Sequence, residues 1–462
     1  MKITSIPASS VVRRIYAAIC VMLVLSMPGC GGGGGDDAGT TTPVSVGHNG
    51  VTTYEGSKTC NPCHEGKAQE VYTSEHYQWK GKLGATNDFC TYPDANWLFE
   101  FPANNTAGTA AGCATCHVGF GNTRPPSVGA KFPDIPTQAH LDNIDCLMCH
   151  SDTYNHVGKM VNGQPVLLPD AASQANMVTI LADIKKAVSK QACLKCHARA
   201  GGGNGVKQGD LDLSMANPPR DLDVHMSSTT LGGAGLTCVS CHVAANHKIA
   251  GKGSDMRVAD TGSPPMKNCA TCHGTSPHSS GDLNGHVNDA RADCTACHIP
   301  TYARGVLTET RRDFTSLVLI GGRYEAQRTE AMGLTPKLLP YDGTSFFYPL
   351  GTTLATQVSE GGINRYLIAG PNSVVVGTTT GTRYPFKVHT ARMAVDVSNR
   401  LIPLNSLELW QYSQIVPALD GYGSAPSGFV ETVRYLGLYH QVAPKAAANN
   451  ACIQCHPGGP PQ

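Results

Sequence analysis

Residues 193–197 read Cys193-Leu194-Lys195-Cys196-His197: two thiols three positions apart, with an imidazole directly after the second. The same Cys-x-x-Cys-His arrangement stands at Cys60/Cys63/His64, Cys113/Cys116/His117, Cys146/Cys149/His150, Cys238/Cys241/His242, Cys269/Cys272/His273, Cys294/Cys297/His298 and Cys452/Cys455/His456. With 19 cysteines and 18 histidines in 462 residues, chance would supply about 0.03 such pentapeptides, and eight are present.

The spacing has a chemical reason. Two thiols three residues apart reach the two vinyl groups of one haem and form thioethers, and the adjacent histidine swings under the iron as an axial ligand. Paired Cys-x-x-Cys units can also hold structural zinc, and a single unit can be a redox dithiol. Neither asks for a histidine at the same offset every time. The motifs therefore imply eight covalently bound haem c groups.

The bulk composition agrees. Charged residues are 15% and aromatics 6%, glycine (51) and proline (30) are abundant, and hydrophobics at 41% exclude a disordered chain. Such a chain is short of an ordinary core for its length, and a large apolar cofactor would supply one. A net charge of +1 gives no nucleic-acid footprint.

The first residues read as a targeting segment. Lys2, Arg13 and Arg14 precede an apolar run, Ile15 to Met27, too short to span a bilayer. Gly29-Cys30 after that run is similar to a bacterial lipobox. The expected organisation is a signal peptide (1–29), a lipid-bearing Cys30 with a flexible tether (30–57), a seven-haem body (58–300), and a haem-poor segment (301–462) that folds back with the eighth haem. The chain is expected to be exported to the periplasm or outer membrane, with lipid as its only membrane contact. Sixteen cysteines go to haem, Cys20 to the signal and Cys30 to lipid, which leaves Cys90.

The fold expected is mainly α, a multihaem cytochrome c body of short helices and irregular loops with little sheet. Glu65–Trp79 and Asp170–Gln191 read as helices, and Ser373–Thr380 as a strand-like run. Ten histidines remain outside the motifs: His48, His76, His140, His156, His225, His247, His278, His286, His389 and His440. That supply permits a histidine on the second side of every iron.

Several segments together resemble the octahaem tetrathionate reductase family of c-type cytochromes. They are the glycine-rich run 201–212 with Asp223-Val-His-Met226, Asn246–Gly251, Cys294–Gly305, Asn87–Cys90, Asn143–His150 and Lys387-Val-His389. The resemblance implies bis-histidine ligation of seven haems, with His76, His225, His247, His278, His286, His389 and His440 as distal ligands. It implies that the second haem, on Cys113/Cys116/His117, is catalytic with lysine at its sixth position, and that Cys90 lines its cavity. His48, His140 and His156 are then spare. The chain departs from the pattern at Ser151–Lys159, where His156 or Asn155 falls at the lysine position and Lys159 follows a few residues later.

Two functions follow. One is a terminal reductase, taking electrons from other cytochromes or quinol-linked donors to tetrathionate, nitrite or hydroxylamine at the second haem, with Cys90 and His156 or Lys159 at the site. The other is a conduit with every iron six-coordinate, passing electrons to another cytochrome or an extracellular acceptor. The sixth ligand of the second haem separates them.

Overall fold

The computed structural model describes residues 48, 50–78, 116, 118–121, 132–162, 164–251, 265–348, 351–402, 404, 408–409, 412–416, 426–448 and 456. Cys30, Cys90, Cys113, His117, Cys452 and Cys455 lie outside them, as does the targeting segment. Among the described residues no helix is long and apolar enough to cross a membrane.

In the body up to residue 300 the helices are short, and most of them carry a motif. Leu147–His150, Lys190–His197, Cys269–His273 and Cys294–His298 each bring two thiols and an imidazole onto one turn, because residues three and four apart share a helix face. Polar residues start three of them. The side chains of Ser189, Asn268 and Asp293 accept backbone N–H groups of Ala192, Thr271 and Thr295, satisfying donors that a first turn leaves open. Small apolar clusters lie between the motifs. One holds Tyr72, Tyr77, Phe132 and Ile144, a second Leu147, Tyr154, Ile180 and Leu181, a third Leu194, Met215, Leu222 and Met226. A fully buried side chain of this kind contributes about 1.5–3 kcal/mol. The two longer expected helices are broken: Lys67–Tyr72 and Glu75–Gln78 replace the first, and Ala171–Ala175, Met177–Ala182 and Lys190–His197 replace the second. Two hairpins complete the body, β1 (His156–Val161) with β2 (Gln164–Pro169), and β3 (Ala244–Ala245) with β4 (Lys248–Ile249).

The expectation of a mainly α chain with little sheet is wrong. Residues 308–437 form an eight-stranded mixed sheet from β5 (Thr308–Ile320), β6 (Arg323–Ala331), β7 (Lys337–Pro340), β8 (Ser345–Phe347), β9 (Gln357–Glu360), β10 (Ile363–Pro371), β11 (Arg383–Val395) and β12 (Gly428–Gly437). The order is β6-β5-β11-β12-β10-β8, with β7 paired to β11 and β9 to β10. β11 runs antiparallel to β12 over Phe386↔Gly437 to Val395↔Gly428 and parallel to β5 over Thr390↔Arg311 to Arg392↔Asp313. Ser373–Thr380 is not a strand: Asn372–Val375 is a helical turn followed by a loop.

The physical reason for the miss lies in β11. Its side chains are largely buried on both faces, so Arg383–Val395 shows no clean polar alternation. One face packs on Phe386, Tyr341, Leu367, Val433 and Tyr435, the other on Phe314, Ile368, Ala391, Met393 and Leu401.

The glycine-rich run 201–212 joins sheet to body. Gly205 has φ +70°, and a Cβ there would collide with the Val306 side chain. Lys387 of β11 reaches back across this seam. Its Nζ donates to Val206 O at 2.8 Å, Lys207 O at 2.7 Å and Thr308 Oγ1 at 2.6 Å. Burial, with Arg434 nearby, holds its ammonium down at about 7.

Candidate haem sites

The imidazoles of the body come in facing pairs. Ring centres are 5.9 Å apart for His48/His64, 6.1 Å for His76/His197, 6.2 Å for His150/His247 and 6.0 Å for His225/His273. They are 6.2 Å apart for His242/His440, 6.2 Å for His278/His298 and 6.1 Å for His286/His456. Each pair joins one motif histidine to one histidine from elsewhere in the chain. A metal–imidazole bond is about 2.0 Å and the ring nitrogen lies about 1.1 Å from the ring centre, so two imidazoles on opposite sides of one metal have centres about 6.2 Å apart. The observed gap is therefore the width of an iron and its two axial bonds. No group of three or more His, Cys, Asp or Glu converges among the described residues. Donors in twos suit a metal whose four equatorial ligands come from a porphyrin. The residues fit haem.

The ligand imidazoles are oriented through their second nitrogens. His150 Nδ1 is 2.8 Å from Lys185 O, His242 Nδ1 2.9 Å from Ala250 O, and His286 Nδ1 2.8 Å from Asp282 O. Two others meet carboxylates: His247 Nδ1 is 2.8 Å from Glu70 Oε2, and His440 Nδ1 is 3.3 Å from Asp210 Oδ2. Such partners fix the tautomer and leave Nε2 free to coordinate. Burial works against the charge on both members of the Asp210–His440 pair, but their contact wins, lowering the Asp210 carboxyl and raising His440.

Motif cysteines mark which sites adjoin. The thiols of Cys60 and Cys146, Cys193 and Cys238, and Cys269 and Cys294 are in hydrogen-bond contact. Cys196 Sγ lies 3.7 Å from Cys116 O. Sites one and three, two and four, four and five, and six and seven are thus neighbours. Cys149 also sits close to both Cys193 and Cys196, and Cys241 to Cys272, which links three to four and five to six. The eighth joins through the segment that carries both His278 and His286, where Asn284 clasps the His278 backbone. Burial pushes the Cys149 thiol up to about 11. Cys63 is in a disulfide here, and that bond excludes a thioether at the same sulfur.

Two expected haem residues, Cys297 and His456, differ from the rest in how the structure places them. Sequence reading gave Cys297 the same part as Cys294, but the contact that joins sites six and seven runs from Cys269 to Cys294. Cys297 lies half-buried on the last turn of Cys294–His298, next to His298, whose ring faces His278. Sequence reading also expected a complete eighth motif. His456 is the one described residue of that motif, half-buried, so the placement rests on its ring against His286 and not on its cysteines. His456 thereby belongs with the helix Gly281–Asn288 of the body, which corrects its assignment to a separate haem-poor segment.

The structure brings six of the seven expected distal histidines to a motif histidine: His76, His225, His247, His278, His286 and His440. His389 is elsewhere. Its Nε2 is 2.7 Å from Glu309 Oε1, and its Nδ1 accepts from Arg434 Nε at 3.2 Å, so neither nitrogen is open to a metal. Burial, then the Arg434 charge, holds this imidazole at about 3. It is neutral and donates Nε2–H to Glu309. Burial tends to raise the Glu309 carboxyl, but the His389 hydrogen bond and the Arg312 guanidinium hold it at about 2. The place opposite His64 goes to His48, which sequence reading left spare; no local signal marks it beyond its histidine. His140 caps its own helix, with Nδ1 accepting Thr137 N–H at 3.0 Å.

His156 and Lys159 both lie on β1. His156 is buried, with Nδ1 2.9 Å from Asp145 Oδ2. Lys159, three residues on, falls on the opposite face of the strand and is half-buried.

No family model matches the chain. It is 28% identical over 288 residues to an uncharacterised protein of Archaeoglobus fulgidus, covering 52% of this chain and 92% of that protein. Its structure is similar to the crystal structure of an octahaem cytochrome c from Shewanella oneidensis, with TM-score 0.62 and 23% identity over 89% of this chain and 94% of that one. The chain shares the fold of that octahaem cytochrome.

Proposed function

We propose that this chain is an octahaem c-type cytochrome that transfers electrons. The observation that carries the reading is the set of seven imidazole pairs at 5.9–6.2 Å, each containing a Cys-x-x-Cys-His histidine. Haem bound at these sites supplies reversible one-electron chemistry. The protein's own part is threefold. Paired cysteines anchor each macrocycle, facing histidines fill both axial positions, and Nδ1 partners hold the rings in place. A six-coordinate iron offers a substrate no position, so these seven sites suit transfer rather than catalysis. The linked motifs one, three, four, five, six and seven, with two beside four, favour a continuous relay.

Reduction of tetrathionate, nitrite or hydroxylamine would fall to the second site, and its sixth ligand decides whether that chemistry is open. We take the conduit as the function. Other cytochromes or quinol-linked donors are its proposed partners upstream, and another cytochrome or an extracellular acceptor downstream. Export, with lipid on Cys30 as anchor, belongs to the same proposal. The test is intact mass with haem quantitation on protein matured in a haem-attaching host. Eight haem masses per chain are expected. A chain with bound zinc, or with alkylatable motif thiols, would overturn the reading.

A further inference from the structure

Seven pairs account for every described motif histidine, and the remaining motif is the second, at Cys113/Cys116/His117. Three histidines are then uncommitted: His140, His156 and His389. His140 caps a helix, and both nitrogens of His389 are engaged. His156 differs from both. Its side chain is fully buried, and its Nε2 has no hydrogen-bond partner. An orphaned buried nitrogen is costly, about 1–3 kcal/mol, unless something occupies it.

Its other nitrogen is firmly held. Asp145, itself buried, receives His156 Nδ1 at 2.9 Å and Tyr154 OH at 2.8 Å on Oδ2, and Tyr54 OH at 2.7 Å on Oδ1. A carboxylate behind an imidazole, with Nε2 left bare, is the arrangement of a metal-ligating histidine.

The backbone brings this unit to the second motif. Asp145 N–H donates to Val118 O at 2.8 Å, one residue beyond His117. Phe120 N–H donates to Asn143 O at 2.8 Å, and Leu167 N–H of β2 donates to Phe120 O at 2.8 Å. β2 pairs with β1, placing His156 opposite Pro169 and Gly158 opposite Leu167. Residues 118–120 are therefore stitched on one side to the segment ending in Asp145 and on the other to the hairpin that carries His156.

We propose that His156 is the sixth ligand of the second haem, held by Asp145, and that it closes that iron to external ligands. This rests on the reading that Cys113/Cys116/His117 binds haem. Lys159, on the other face of β1, is then a bystander. The chain is a conduit because a histidine stands where a reductase would keep a weaker ligand.

The experiment is near-infrared magnetic circular dichroism of the ferric holoprotein, with cyanide as external probe. It is run on the wild type, His156→Ala and Lys159→Ala, each with haem content fixed by intact mass. The wild type should show bis-histidine bands alone and bind no cyanide. His156→Ala should convert one haem in eight to a high-spin form that takes one cyanide, and Lys159→Ala should match the wild type. A lysine–histidine band in the wild type overturns the proposal without needing either variant to fold. So does a cyanide-reactive haem in the wild type, or a His156→Ala spectrum identical to it. Seven haems in the wild type, with the second motif unmodified, would instead overturn the underlying reading of that site.

Discussion

Asp210→Asn should raise the reduction potential of the fifth haem alone. Asp210 is buried, and its Oδ2 lies 3.3 Å from Nδ1 of His440, the imidazole facing His242. Crossing the ring and the axial bond places the carboxylate about 7 Å from the iron. A ferric bis-imidazole haem core carries one positive charge and the ferrous core none, so the carboxylate favours the oxidised state. At an effective dielectric of about 20, one charge at about 7 Å contributes about 2.4 kcal/mol. For one electron this is about 100 mV. The asparagine oxygen can still accept the backbone N–H groups of Tyr439 and His440, now 2.7 and 3.0 Å from Oδ2, so the fold should survive. Spectropotentiometric titration of wild type and variant should superimpose except for one n = 1 component, displaced upward by about 50–100 mV. A variant whose components all stay within about 20 mV, or whose displaced component moves down, would refute the claim that a carboxylate–imidazole unit faces this iron.

His48→Ala should free one coordination site and give one high-spin haem in eight, while His389→Ala should leave every haem low-spin; electron paramagnetic resonance distinguishes them, and the reverse result would restore His389 as a ligand. In the same spectra of the wild type, the nearly perpendicular pairs His76/His197 (77°) and His286/His456 (79°) should give strongly anisotropic low-spin signals, and the nearly parallel His278/His298 (8°) a rhombic one. Lys387→Met should cost about 2–4 kcal/mol by stranding the acceptors at the seam between sheet and body, read as a lowered denaturation midpoint with unchanged haem spectra. Cys90→Ala should leave electron transfer to a small soluble acceptor unchanged, since a conduit makes no use of a cavity thiol.

The cofactor chemistry was legible because it is local: five residues within one turn carry both thioethers and one axial bond. That local rule names Cys297 and His456 as readily as any other motif residue, but it says nothing of what each will face. His456 meets His286 across a long stretch of chain, and only the fold makes that contact. Six distal histidines were reached through resemblance rather than physics, since His76 and His197 are far apart in sequence and no periodicity joins them. The same route put His389 in place of His48. Lys387-Val-His389 has the look of a ligand segment, yet β11 runs through the middle of a sheet, and its buried histidine answers to Glu309 and Arg434. The sheet was hidden for a related reason. Strands covered on both faces lack alternation, and eight haem motifs drew the reading toward short helices. Asp170–Gln191 shows the limit of composition: helix-forming residues fill it, but Asp170 and Ser189 each start a separate short helix.

The measurement that tests the central claim most directly is haem count and spin state on one sample, by intact mass and by quantitative low-temperature electron paramagnetic resonance of the ferric protein. The account predicts eight covalent haems with every iron low-spin. Fewer than eight haems, or a stoichiometric high-spin iron in the wild type, would contradict it.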